Sequence, residues 1–270
     1  AESIKAAAGI DADVAGITII GVGNDENRPV ITFTTATGAD VDIDAANITI
    51  ANIVFKNDID SQTAMIDVNS TGFSLIGCDF NEGSSKQALI FVDLDGGANG
   101  CDRARIIGNR FKQTAVGGNS AIKLTVVQDR VLIEKNIIDG DWADAGIHNP
   151  TSAICTNLVI KNNIVRNRQT GDHAIELVSA CTGECVDNRL FADTSGTVLD
   201  PGSLFCSGNT ETTAIDTAGT SSPPTVDDVA ANPIGVDDAD NAAATTNVVA
   251  NEDGSVLERL EQIQEAVNKG

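Results

Sequence analysis

Apolar residues fall in short alternating runs, and the runs recur about every 26 residues between positions 14 and 210. The segments FSLIGCDF (73–80), ARIIGNRF (104–111), VLIEKNII (131–138), LVIKNNIV (158–165), GECVDNRL (183–190) and SLFCSGNT (203–210) superimpose. One position of the repeat holds Cys78, Asn109, Asn136, Asn163, Asn188 and Asn209. ITIANIVF (48–55) reads as an earlier copy with one more residue between Asn52 and Phe55, and ITIIGVGN (17–24) as the first. Leu158 and Ile160 precede Asn163 at a spacing of two, and Val165 follows it. Phe73, Leu75 and Phe80, then Ala104, Ile106 and Phe111, then Val131, Ile133 and Ile138 repeat that arrangement. A period of two predicts a strand with one face inward, and the phase flip across the Asn predicts a corner. Asn tolerates the left-handed backbone of a tight corner, and its amide reaches the Asn one rung away. Units this short bury their apolar faces only by stacking, so the fixed period predicts a solenoid.

A second strand follows in each unit: AMIDV (64–68), ALIFV (88–92), SAIKL (120–124), AGIHN (145–149), HAIEL (173–177) and TVLDP (197–201). Their inward residues are read as Ile66, Ile90, Ile122, Ile147, Ile175 and Leu199. Four regions result: an N-terminal cap over 1–13, expected as a short helix; the solenoid over 14–210; an Ala, Thr, Asp and Pro-rich linker or arm over 211–250; and an oligomerisation helix over 251–270. Ser255 with Glu258 makes a capping box for that helix. Val256, Leu260, Ile263 and Val267 form a coiled-coil seam too short to be stable alone, with Ile at a d position favouring three or more strands. The chain begins at Ala1 without Met, as a processed or partial chain would.

Charge narrows the partners. A formal net charge of −22 opposes binding to nucleic acid and to anionic membranes, and no cofactor motif is found. The six cysteines show no metal-like CxxC pair and are expected as buried reduced thiols. Cys181 and Cys185 are the best disulfide or metal candidates among them.

Candidate chemistry comes from the outward side of the second strands. Aligning them gives the column Asp67, Phe91, Lys123, His148, Glu176 and Asp200. Lys123, His148 and Glu176 would be neighbours about 4.8 Å apart, either an acid/base group or a solvated charge ladder. Asp139, Asp141, Asp144 and Asp172 lie on nearby loops, and glycoside hydrolysis needs two carboxylates about 5–9 Å apart. No residue is assigned as catalytic; Asp141, His148 and Glu176 are the candidates. Trp142 and Lys123 are the candidates for binding, Trp142 as a sugar platform or as cover for its own rung. His148 and His173 lie on neighbouring rungs, and a metal site there would need a third ligand such as Asp144 or Asp172; no metal is expected.

The Asn-bearing rungs resemble those of right-handed parallel β-helices. Pectate lyases and polygalacturonases share that solenoid, but their catalytic signatures are not found here. AGITIIGVGNDENRPVITF (15–33), DIDAANITIANIVF (42–55), the Asn-bearing rungs and DGSVLERLEQIQ (253–264) resemble β-helix proteins of tailed-phage particles. The resemblance implies a single-stranded right-handed parallel β-helix of about eight rungs, with a short N-terminal cap and a C-terminal coiled-coil-like helix. It implies a non-catalytic structural virion protein, made in the host cytoplasm, that decorates the shell or forms a spike or fibre. Its partners would be itself, as a homotrimer, and other virion proteins of the capsid shell or tail. Similar proteins typically begin with a further strand before residue 1. The rival expectations are a lyase or hydrolase acting on host polysaccharide, and a non-catalytic adhesin that binds host glycan.

Overall fold

The computed structural model describes residues 2–4, 9–82, 86–96, 100–150, 153–193 and 197–213. Over these residues the chain winds as a parallel β-solenoid, each turn laying one strand into each of three sheets. Leu158–Lys161 joins sheet C, Ile164–Asn167 joins sheet A, and His173–Glu176 joins sheet B. Gly183–Val186, Arg189–Ala192 and Leu199–Asp200 then pair with them in the same order, all parallel. Sheet A has nine strands, and sheets B and C have eight each. A 3-10 turn at Asp25–Asn27 is the only helical element among the described residues. The expected linker over 211–250, beyond Thr213, and the helix seam Val256, Leu260, Ile263 and Val267 lie outside the described residues.

The core consists of columns running along the solenoid axis. Ile50, Leu75, Ile106, Ile133, Ile160 and Cys185 stack in sheet C, all essentially inaccessible. In sheet A the rings of Phe55, Phe80 and Phe111 stack at 5.0 and 4.8 Å. Ile138, Val165 and Leu190 continue that column, and Glu211 ends it. Because all the pairings are parallel, each side chain lies over its equivalent one turn away, which aligns like with like.

Between sheets C and A, buried amides form a ladder. Asn163 Oδ1 accepts from both the backbone N–H and the side-chain amide of Asn136, at 2.9 and 3.0 Å. Asn163 in turn donates through both groups to Asn188 Oδ1, at 3.0 Å each, and its amide also donates to the Ile133 carbonyl at 3.0 Å. Asn109, Asn136, Asn188 and Asn209 repeat the pattern, and Cys78 N–H begins it by donating to Asn109 Oδ1 at 2.8 Å. The left-handed backbone, expected at the ladder residue, falls one position earlier: at Gly77, Gly108, Lys135, Asn162, Asp187 and Gly208. The ladder residue keeps φ negative and turns its amide inward. Asn52 is itself left-handed at φ 58 and corresponds to Gly77, so Ile53, not Asn52, precedes Cys78 on the ladder and the extra residue disappears.

Two further readings change. Residues 2–4 and 10–11 are strands rather than helix, with Glu2 opposite Ile31 and Ile10 opposite Val41. Pairing with the open edge of each sheet satisfies backbone groups that outweigh the helix propensity of the neighbouring alanines. In sheet B the partners of Ile66 and Asp67 are Val92 and Asp93, not Ile90 and Phe91. Ile90, Phe91 and Val92 are consecutive buried residues, so strict alternation fails there and the alignment slips by two.

The ladder gives a test. Asn163→Ala orphans three buried groups, on Asn136 and Ile133, and should cost on the order of 3–5 kcal/mol. Asn209→Ala, at the half-exposed end, should cost about 1–2 kcal/mol because water replaces the amide. Chemical denaturation measures both, and equal losses would contradict the burial argument.

Candidate functional site

The outward side of sheet B carries the charged column. In register it reads Asp11, Asp42, Asp67, Asp93, Lys123, His148, Glu176 and Asp200. Lys123, His148 and Glu176 are therefore neighbours, and Asp93 stands where Phe91 was expected. Phe91 is inaccessible and packs against Phe80 and Trp142.

His148 sits at the centre of the cluster with its side chain 14% exposed. Its Nδ1 lies 3.3 Å from Asp144 Oδ2 without hydrogen-bond alignment, and its Nε2 lies 3.9 Å from Glu176 Oε2. Burial lowers its proton affinity below the usual histidine range, against the opposing pull of Asp144 and Glu176. His173 approaches the same Glu176 oxygen at 4.0 Å. His173 stands opposite Ala145 in the register, so the two imidazoles flank Glu176 rather than stack. Burial also raises Asp172. A neutral imidazole between two carboxylates can take up or pass on a proton. Among the described residues, no three His, Cys, Asp or Glu side chains converge as a metal cage.

Three rungs nearer the N-terminus, from Asp67 on, the same column is purely acidic. Asp67 is pushed up to about 7 by burial, reinforced by Asp93, Asp42, Asp95 and Asp40. Its Oδ1 is buried without a hydrogen-bond partner. Asp42 is raised by burial despite accepting from Asn69 at 2.8 Å, and Asp93 is raised by burial despite the Thr125 hydroxyl. Burial is the main cause at each of the three, and at Asp67 the neighbouring carboxylates add to it because like charges disfavour joint ionisation.

The other candidates separate. Trp142 is fully buried and meets the Phe91 ring edge-on at 5.0 Å, so it belongs to the core and offers no face to a sugar. Asp141 lies on the turn before it, its backbone N–H donating to Gln113 Oε1 at 2.9 Å. Asp139 is 3.8 Å from Arg168. Cys181 and Cys185 do not face each other: Cys181 Sγ accepts from the Cys155 N–H at 3.2 Å, and Cys185 stacks on Cys206. All six thiols are free, and Cys206 alone is exposed.

A second polar corner, between sheets A and B, escaped the sequence reading. Asn57, Glu82, Gln113, Gly140 and Asn167 occupy one register position, four residues after the ladder column. Asn167 clamps Trp142, accepting from its N–H and donating to its carbonyl, both at 2.9 Å, and also donates to the His173 carbonyl at 2.9 Å. It thereby fixes the strands that carry His148 and His173. Gly140 is required beside the indole, since a Cβ there would stand 2.3 Å from the ring. Glu82 is 9% exposed, accepts from the Ala88 N–H at 2.7 Å, and leaves its second oxygen unpartnered. Burial pushes it up to about 7. The recurring offset of four was the available signal.

Compared with known proteins, the chain matches no family model, no curated protein and no solved structure.

The raised carboxyls set a pH dependence. A group whose folded pKa exceeds its unfolded one contributes stability below the unfolded value, and that contribution is lost as pH rises through the folded value. For Glu82 the window runs from 4.5 to about 7, so the chain should be less stable at pH 8 than at pH 5. Glu82→Gln should remove on the order of 2–3 kcal/mol of that fall, and Asp67→Asn a smaller part. Denaturant titrations at both pH values measure this; an unchanged pH dependence in both variants would contradict the assignment.

Proposed function

We propose that this chain is a non-catalytic structural component of a tailed-phage particle, a shell decoration or spike-like projection that works as a homotrimer. What supports the reading is the continuity of the solenoid. The same three sheets, the ladder and the apolar columns run through successive turns, the construction of a stiff rod. The segments 15–33, 42–55 and 253–264 add the likeness to virion β-helix proteins, and the seam of Val256, Leu260, Ile263 and Val267 adds a means of self-association. Capsid or tail proteins would be the further partners.

One observation favours a second reading. The Asp144, His148, Glu176 and His173 group is an acid/base constellation on an open sheet face, which a lyase or hydrolase acting on host polysaccharide would use. That reading predicts release of reducing or unsaturated ends from host capsule and its loss in Glu176→Gln. The adhesin reading has lost its platform with the burial of Trp142.

The native mass of the intact chain, beside a version ending at Thr213 with its fold checked by circular dichroism, tests the proposal. A trimer that becomes a monomer on truncation is the expected result. A monomeric intact chain would overturn the oligomeric virion reading.

A further inference from the structure

The three outward faces differ in charge. Sheet B carries the acidic column that begins Asp11, Asp42, Asp67 and Asp93. Sheet A carries exposed Lys56, Arg110, Lys112 and Arg189 among its outward positions. Sheet C is different again. Its outward column reads Ile20, Ala51, Ile76 and Ile107 on successive rungs. Exposed Arg105 stands beside Ile107 in the adjoining column, and on the next two rungs that column carries Leu132 and Val159 beside Glu134 and Lys161. Ile20 is 62% exposed and Ile76 41% exposed. The neighbouring outward positions on the first three of these rungs are Thr18, Thr49 and Ser74, which carry no charge. Glu134, at the end of the stripe, lies within 3.8 Å of Lys161. At rung spacing the stripe extends about 24 Å along the solenoid.

We propose that this face of sheet C is where copies of the chain meet, side by side with their solenoid axes parallel. The inference rests on the homo-oligomeric reading above and adds the surface to it. Two observations identify the occupant as a second copy. A chain with a net charge of −22 repels its copies, and repulsion is least where the acidic column is absent. In addition, an apolar row repeating at rung height is matched by another row of the same period. A parallel copy presents the same residues at the same height, so Ile20 meets Ile20 and Ile76 meets Ile76. An outward apolar row with Ile20 and Ile76 exposed and Ala51, Ile107, Leu132 and Val159 half-buried fits an interaction site better than a solvated face.

The test uses the full chain. Ile20→Glu with Ile76→Glu places charge on the stripe without touching the core, since both side chains point outward. Association should weaken about a hundredfold, about tenfold for each site, with an unchanged far-UV spectrum. Lys56→Glu on sheet A, an exposed site off the stripe, should leave the oligomer intact. A double variant that keeps the wild-type oligomer would overturn the interface and leave the oligomeric reading standing; a monomeric wild type would remove both. Should the double variant fail to fold, Ile76→Cys in a Cys206→Ser background decides the matter. Mild air oxidation should cross-link copies through position 76, and a chain that stays monomeric on denaturing gels would overturn the parallel contact.

Discussion

Everything in this solenoid depends on the bonding of the corner between sheets C and A. A tight corner repeated on every turn buries polar backbone groups that strand pairing alone leaves without partners. The ladder amides meet that constraint from inside. One Oδ1 accepts two hydrogen bonds from the preceding rung, and one amide group donates both to the next rung and to a carbonyl of the rung before. No apolar residue can do this, and a Ser or Thr hydroxyl supplies one donor where two are needed. At Cys78 the ladder stops, and Ile53 one rung earlier is apolar. The backbone N–H of Cys78 still donates to Asn109, so the transition from amide to apolar column leaves that donor satisfied.

With the height of each rung fixed at one corner, every other column falls into register. The Phe stack, the polar corner of Asn57, Glu82, Gln113 and Asn167, and the outward charges of sheet B all follow from the same spacing. Alignment that favours apolar side chains inside brings like charges together outside. Asp67, already raised by burial, is also opposed by Asp93 and Asp42 for that reason, and its protonation relieves part of the cost. Where Lys123 enters the column the signs begin to mix, and the acid/base group of His148 and Glu176 lies directly beyond it. A structural role and a chemical one thus draw on the same register; they differ in whether Asp144, His148 and Glu176 meet a substrate or only solvent.

Much of this was legible in the sequence because the ladder Asn and the strand before it recur with little variation. Leu158, Ile160 and Val165 were placed correctly from period and phase alone. The failures have particular causes. Strict alternation turns Phe91 outward, and nothing in the pattern marks the run of three buried residues that keeps it inside. Asn52 resembles a ladder residue because Asn serves both the left-handed position and the amide position, and composition does not tell them apart. For Trp142 the sequence admits both platform and core, because its loop setting does not reveal the glycine at position 140 and the Asn167 clamp that turn it inward. Glu82 went unnoticed because a carboxylate is not expected at a buried corner, although it follows Cys78 at the offset that Asn167 keeps from Asn163. The composition of residues 1–13 suggests helix, while the strand state of residues 2–4 depends on an edge 29 residues away.

Hydrogen exchange of the Asn side-chain amides tests most directly whether the ladder governs the fold. In the present account the amides of Asn109, Asn136, Asn163 and Asn188 exchange only when the whole solenoid opens, with protection equal to that of the buried strands. Exchange of these amides at the rate of the surface loops, while the strands stay protected, would contradict it.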